Sequence, residues 1–188
     1  MKLLIIQGHP DSQSFNHANA VNYYEKAQAA GHEVKMIDLA EEDFNPNLEY
    51  GFRQHMEDES KPNHYQELIK EADQLIFFFP TWWGAEPAML KGFLDRTLTP
   101  HFAYHYQSAT KIDKLLTGKT AKLFITSRGP AFFTKSIYGS VVYRWKHLVL
   151  GFCGIKVTKT LVLGNMNTQK STEAQRKEFI ERCAANID

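Results

Sequence analysis

The stretch Leu75–Arg96, LIFFFPTWWGAEPAMLKGFLDR, constrains the fold of this chain more than any other. It opens on an apolar run, Leu75 to Phe79, too short and too rich in β-prone residues for a core helix. Pro80 is expected to end that strand, because proline has no N–H for a sheet ladder. Two adjacent tryptophans, Gly84 and Ala85 follow. Pro87 suits the first turn of a helix, and Ala88, Met89, Leu90, Phe93 and Leu94 then repeat at helical spacing. Glu86 and Asp95 flank that helix and read as a cap and a solvated charge. The stretch is thus strand, turn, helix, with two indoles in the turn. In a parallel sheet such a turn lies at the carboxyl edge, where open α/β sheets take ligands. Side chains this large and flat suit a flat, partly apolar ligand.

The rest of the chain repeats that rhythm. Lys2 to Ile6 is a buried-type strand. The loop Gln7–Asn16 is rich in turn formers and hydroxyl or amide side chains, and a helix starts near Ser14 to Asn16 and runs to Ala30. A strand, a polar loop and a helix N-terminus in that order can hold a phosphate on free backbone N–H groups, with Ser14 and Asn16 adding hydrogen bonds. Neither the GxxxxGK[ST] nor the GxGxxG pattern is present. His32–Leu39 is a second strand, Ala40–Asn63 a long surface excursion, and His64–Ala72 a helix leading to the Leu75 strand. Thr99–Ser108 carries Phe102, Tyr104 and Tyr106 on alternate positions of an extended segment. Thr120–Thr126 is a fourth strand, left through Ser127-Arg128-Gly129-Pro130. Val141–Leu150 is a helix, Lys156–Leu163 a fifth strand, and Thr172–Ala185 a last helix. Five strands alternating with helices predict an α/β doubly wound parallel sheet of order 2-1-3-4-5. In that order the loops after strands 1, 3 and 4 converge on one crevice.

A chain of 188 residues supports one sizeable core. A net charge of +1 gives no argument for nucleic acid or a membrane surface. No run approaches the length of a membrane span, and the apolar run Leu3–Ile6 is too short for a secretory signal. Cys153 and Cys183 are therefore expected as free thiols in a reducing cytoplasm. His101 and His105 stand four apart, but Pro100 and the neighbouring aromatics argue against a helix, so no metal site is expected there.

Four stretches carry a family resemblance: His9-Pro10 with Ser14-Phe15-Asn16; Phe79 to Gly84 with Pro87, Leu90, Lys91 and Gly92; Phe102 to Tyr106; and Thr126 to Gly129. In these the chain resembles the flavodoxin-like quinone reductases of the DT-diaphorase type and their bacterial relatives. Those relatives include modulator-of-drug-activity proteins and the ancillary subunits of glutathione-gated potassium efflux systems. The resemblance implies a single flavodoxin-like three-layer sandwich over residues 1–188, a noncovalent flavin (FMN or FAD), NAD(P)H as reductant, a quinone-like acceptor and a homodimer. It implies a flavin phosphate held by His9, Ser14, Phe15 and Asn16. The flavin ring would lie along Pro80, Thr81, Trp82, Trp83 and Gly84, and its pyrimidine end would meet Thr126, Ser127, Arg128 and Gly129. Tyr104 and Tyr106 match tyrosines that line the acceptor pocket from the partner subunit in relatives. Tyr138 falls near the place of an active-site histidine in many of them. Arg128 departs from the family's Thr-Thr-Gly-Gly pattern, and a guanidinium there could stabilise negative charge on the reduced ring. Other expectations for such a fold are a flavin-binding electron carrier and a regulatory subunit docked on a membrane transporter.

Overall fold

The computed structural model describes residues 1–136 and 140–188. Five parallel strands form the sheet: β1 (Lys2–Gln7), β2 (Glu33–Asp38), β3 (Gln74–Thr81), β6 (Thr120–Ser127) and β7 (Lys156–Leu163). Their spatial order is β2-β1-β3-β6-β7, the expected 2-1-3-4-5. A separate antiparallel pair, β4 (Tyr104–Tyr106) and β5 (Ile112–Lys114), stands apart from it. β2 and β7 are the edges, and each exposes charged side chains, Glu33 and Lys35 on one and Lys156 and Lys159 on the other.

Strand side chains alternate between the two faces, so one strand feeds two cores. Leu4, Ile6, Phe77, Phe79, Leu123 and Ile125 enter the core under α2 (Ser60–Glu71) and α3 (Ala88–Thr97). Leu3, Ile5, Ile76, Phe78 and Phe124 enter the core under α1 (Phe15–Ala29) and α7 (Glu173–Ala184), with Tyr23 and Phe179. The central strands are buried on both faces, as their unbroken apolar runs require. The helical segment after β6 consists of α4 (Ala131–Ser136), α5 (Val141–Arg144), a π-helical stretch over Trp145–Val149, and α6 (Leu150–Cys153).

Pro80 does not end β3. The strand continues to Thr81, with Pro80 opposite Thr126 and Thr81 opposite Ser127. Phe78 accepts from the Gly8 amide on the β1 side, so Pro80, two residues on, faces the same side. β1 has ended there, and a missing N–H costs no ladder bond. α2 starts at Ser60, four residues before the expected His64, because Pro62 falls in its first turn, where proline is tolerated. The segment 40–59 carries no regular element but is tied down. Arg96, 2% exposed in its side chain, donates to Asn45 O at 2.6 Å and Asp58 O at 2.8 Å and pairs with Glu59 at 3.0 Å.

Candidate active site

The loops after β1, β3 and β6 meet at the carboxyl edge of the sheet and enclose a crevice of about 470 Å³. From the first loop it takes His9, Asp11, Ser14, Phe15 and Asn16. Ser14 is the N-cap of α1, its Oγ accepting from the His17 amide at 3.1 Å. The first-turn amides of a helix have no intrahelical acceptor, and they sit at the positive end of the helix dipole. The Asn16 side-chain amide donates to Thr126 Oγ1 at 3.0 Å, and the Phe15 ring turns away onto Phe179. His9 Nδ1 accepts from the Asp11 amide at 3.0 Å, leaving Nε2 to carry the proton of the neutral ring. Burial lowers the His9 pKa below its ordinary value, partly opposed by Asp11. The His9 ring meets Trp82 edge-on at 5.3 Å. Behind it, Gln7 donates to Asp38, which also pairs with His17 at 2.9 Å.

Pro80, Thr81 and Trp82 form the second wall. Thr81 Oγ1 is buried there with no hydrogen-bond partner. Trp82 and Ala85 exchange backbone hydrogen bonds at 2.8 and 2.9 Å around Trp83 and Gly84. Both central residues have positive φ, 51° and 75°, the signature of a type I′ turn. Glycine is at home in that conformation, whereas tryptophan is strained in it. The Trp83 side chain is fully exposed, and neither Trp83 nor Gly84 lines the crevice.

Thr126, Ser127 and Arg128 form the third wall, and Gly129 lies just outside it. Ser127 Oγ donates to Gly129 O at 2.8 Å, which fixes the turn. Arg128 is exposed. Sequence reasoning missed Asp11, Met166 and Asn167, which also line the crevice. The last two arrive because the Met166 amide donates to Ser127 O and the Asn165 amide to Gly129 O, both at 3.0 Å. The available signal was Asn165-Met166-Asn167 directly after β7, since asparagine tolerates the positive φ seen at both its positions.

Tyr104 and Tyr106 are not in this crevice. They lie on the β4–β5 hairpin with rings 5.5 Å apart, and both meet Phe152, Tyr104 edge-on at 5.0 Å and Tyr106 tilted at 6.4 Å. Tyr104 borders a separate groove of about 280 Å³ with Phe52, Leu94, Arg144 and Phe152. Burial raises the Tyr104 pKa. Tyr138 lies outside the described residues. A larger open hollow, about 860 Å³, borders the segment 48–55 and α2 and shares no lining residue with the crevice. Its walls mix Arg53, Glu59, Glu67 and Lys70. Among the described residues no helix is long and apolar enough to cross a membrane, and no group of three or more His, Cys, Asp or Glu could hold a metal ion.

Glu86 does not cap α3: the residue at the cap is Pro87, and no side chain caps the helix there. The Glu86 side chain is 1% exposed, ion-paired to Arg144 and hydrogen-bonded at 2.9 Å by Trp145 Nε1. The partners lie nearly sixty residues away in sequence, which hid the pairing. Asp95 does pair in solvent, with Lys91 at 2.6 Å.

The profile of the family described as flavodoxin-like fold matches residues 1–187. An uncharacterised NAD(P)H oxidoreductase of Haemophilus influenzae is 31% identical, over 98% of this chain and 93% of its own length. The mouse ribosyldihydronicotinamide dehydrogenase [quinone] is 30% identical, over 99% of this chain and 90% of its own length. The crystal structure of Smu.1420 from Streptococcus mutans superposes with a TM-score of 0.79 at 30% identity, covering 98% of this chain and 97% of that one. By sequence and by fold alike, the chain belongs to the flavodoxin-like NAD(P)H quinone reductase family.

Proposed function

We propose that the protein is a flavin-dependent NAD(P)H:quinone oxidoreductase built as a single domain. The observation that carries this reading is the convergence of the β1, β3 and β6 loops on one crevice at the N-terminus of α1. The residues fit a flavin. The first turn of α1 and Ser14 offer donors for a phosphate. The half-exposed Trp82 indole and the Pro80–Thr81 backbone offer a flat wall, and the unpartnered Thr81 hydroxyl needs a polar group. Trp83 and Gly84 act through the turn that presents Trp82, and Gly129 acts by closing the Ser127 turn. When bound, FMN or FAD supplies the chemistry of taking a hydride from NAD(P)H and returning two electrons to a quinone-like acceptor in alternation.

The chain's own residues bind, orient and exclude water. Ser14 and Asn16 set the phosphate end, Thr126 and Ser127 face the opposite end, and Arg128 places a positive charge at the rim. Tyr104 and Tyr106, displaced from their own crevice, serve the crevice of a second copy in a homodimer. The apolar groove beside Tyr104, with exposed Phe52 and Leu148, supports that arrangement. Two buried, unpaired thiols support a reducing, cytoplasmic setting. Purified protein is expected to be yellow, to release FMN or FAD on acid treatment, and to oxidise NAD(P)H with menadione by parallel-line kinetics. Sedimentation is expected to show a dimer. A colourless protein that gains no colour on incubation with either flavin overturns the reading.

A further inference from the structure

We infer that Glu86 and Trp145 are positioning residues that set the Trp82–Trp83 turn, and through it the flat wall of the crevice. The inference rests on the flavin reading for its functional consequence, but not for its geometry. Trp145 touches the chain on both sides of the turn, at Phe79 before it and at Glu86 after it. Its ring stacks on Phe79 at 4.6 Å with an interplanar angle of 24°, on the strand that leads into the turn. Its Nε1 donates at 2.9 Å to Glu86, the residue directly after Ala85, where the turn closes. Arg144 holds the same carboxylate through both of its terminal nitrogens.

This arrangement is costly as packing alone. A carboxylate with a 1% exposed side chain has given up its hydration, and a hydrophobic group would serve a core better. What the charge adds is direction: a bidentate guanidinium and an indole N–H accept only one placement of the carboxylate. The turn has need of that placement. It holds Trp83 in the left-handed region, and no Trp83 side-chain burial holds it there. Trp145 itself begins the π-helical stretch, a helical irregularity frequent at functional sites. Strand, turn and helix are thus locked at one point beneath the crevice wall.

The test uses Glu86→Gln and Trp145→Phe in the full chain. Each keeps most of the packing and removes one directional bond. Hydrogen exchange is measured on the flavin-free protein at the Trp82 and Ala85 amides, with Ile5 and Ile6 in β1 as controls. We expect exchange at the turn to quicken at least tenfold in both variants while the controls hold. We also expect the dissociation constant for FMN or FAD to rise at least fivefold, with KM for menadione rising more than kcat falls. Unchanged turn exchange in both variants overturns the positioning role, as does a uniform rise at turn and controls alike. If the wild-type chain binds no flavin, the flavin reading fails and the exchange result still decides the positioning role.

Discussion

The Asn16 side-chain amide donates to the Thr126 hydroxyl at 3.0 Å, joining the first and third walls of the crevice. Both residues are at most 4% exposed. Replacing Thr126 by Val keeps the shape but leaves a buried amide without its acceptor. The expected loss is about 1–3 kcal/mol of unfolding free energy, read by urea denaturation. Flavin affinity is expected to fall with it in a fluorescence titration.

Trp83→Gly separates stability from function. A non-glycine residue in the left-handed region costs about 1–3 kcal/mol, and glycine's added freedom in the unfolded chain costs roughly 0.5–1 kcal/mol. The exposed indole forfeits little burial. Thermal unfolding is therefore expected to rise or stay level, and kcat/KM for menadione to hold, because glycine suits the turn that presents Trp82. A clear loss of stability would show that the indole is packed in solution.

Two glycines with crowded surroundings are expected to behave differently. A Cβ on Gly92 would sit 2.4 Å from both the carbonyl oxygen and the Cβ of Pro46, which are fixed to the backbone of the 40–59 segment. At Gly8 the nearest atom is the end of the Leu90 side chain, 2.6 Å away and able to rotate. Gly92→Ala is expected to cost about 1–3 kcal/mol by overpacking, and Gly8→Ala less, compared by equilibrium denaturation.

Alkali is expected to weaken the fold through its thiols. Burial pushes Cys153 up to about 11 and Cys183 up to about 12, against an ordinary 9.0. Folding therefore tightens proton binding at both sites, so their stabilising contribution is whole below pH 9.0 and is lost as pH climbs from there through the folded values. Unfolding free energy measured from pH 8 to pH 11 should fall. Below pH 9 the native thiols should react with Ellman's reagent at least tenfold more slowly than in the denatured chain.

Arg128→Gly removes the positive charge at the rim. The midpoint potential of bound flavin is expected to move roughly 20–30 mV more negative, about 1 kcal/mol for a two-electron couple. The shift stays small because Arg128 is exposed to solvent. Spectroelectrochemical titration reads it, and an unaltered potential would remove Arg128 from the tuning of the site.

The sheet was legible because β1, β3 and β6 are apolar runs bounded by turn formers, and their order follows from the handedness of the crossovers. Pro80 misled because a local rule about hydrogen bonds depends on whether a neighbouring strand is still present. The crevice walls from Ser14, Asn16, Trp82 and Ser127 were readable as loops after strands. Met166 and Asn167 were not, because a backbone bond to Ser127 brings them in. Glu86 carried no local mark of burial, since its meaning depends on Arg144 and Trp145.

The two border strands of the sheet have a consequence for assembly. Lys156 and Lys159 guard one rim, and Glu33 and Lys35 the other. Such charges discourage a second chain from adding its strands in line. Sideways extension of the sheet, the first step toward a fibril, is therefore disfavoured at both rims.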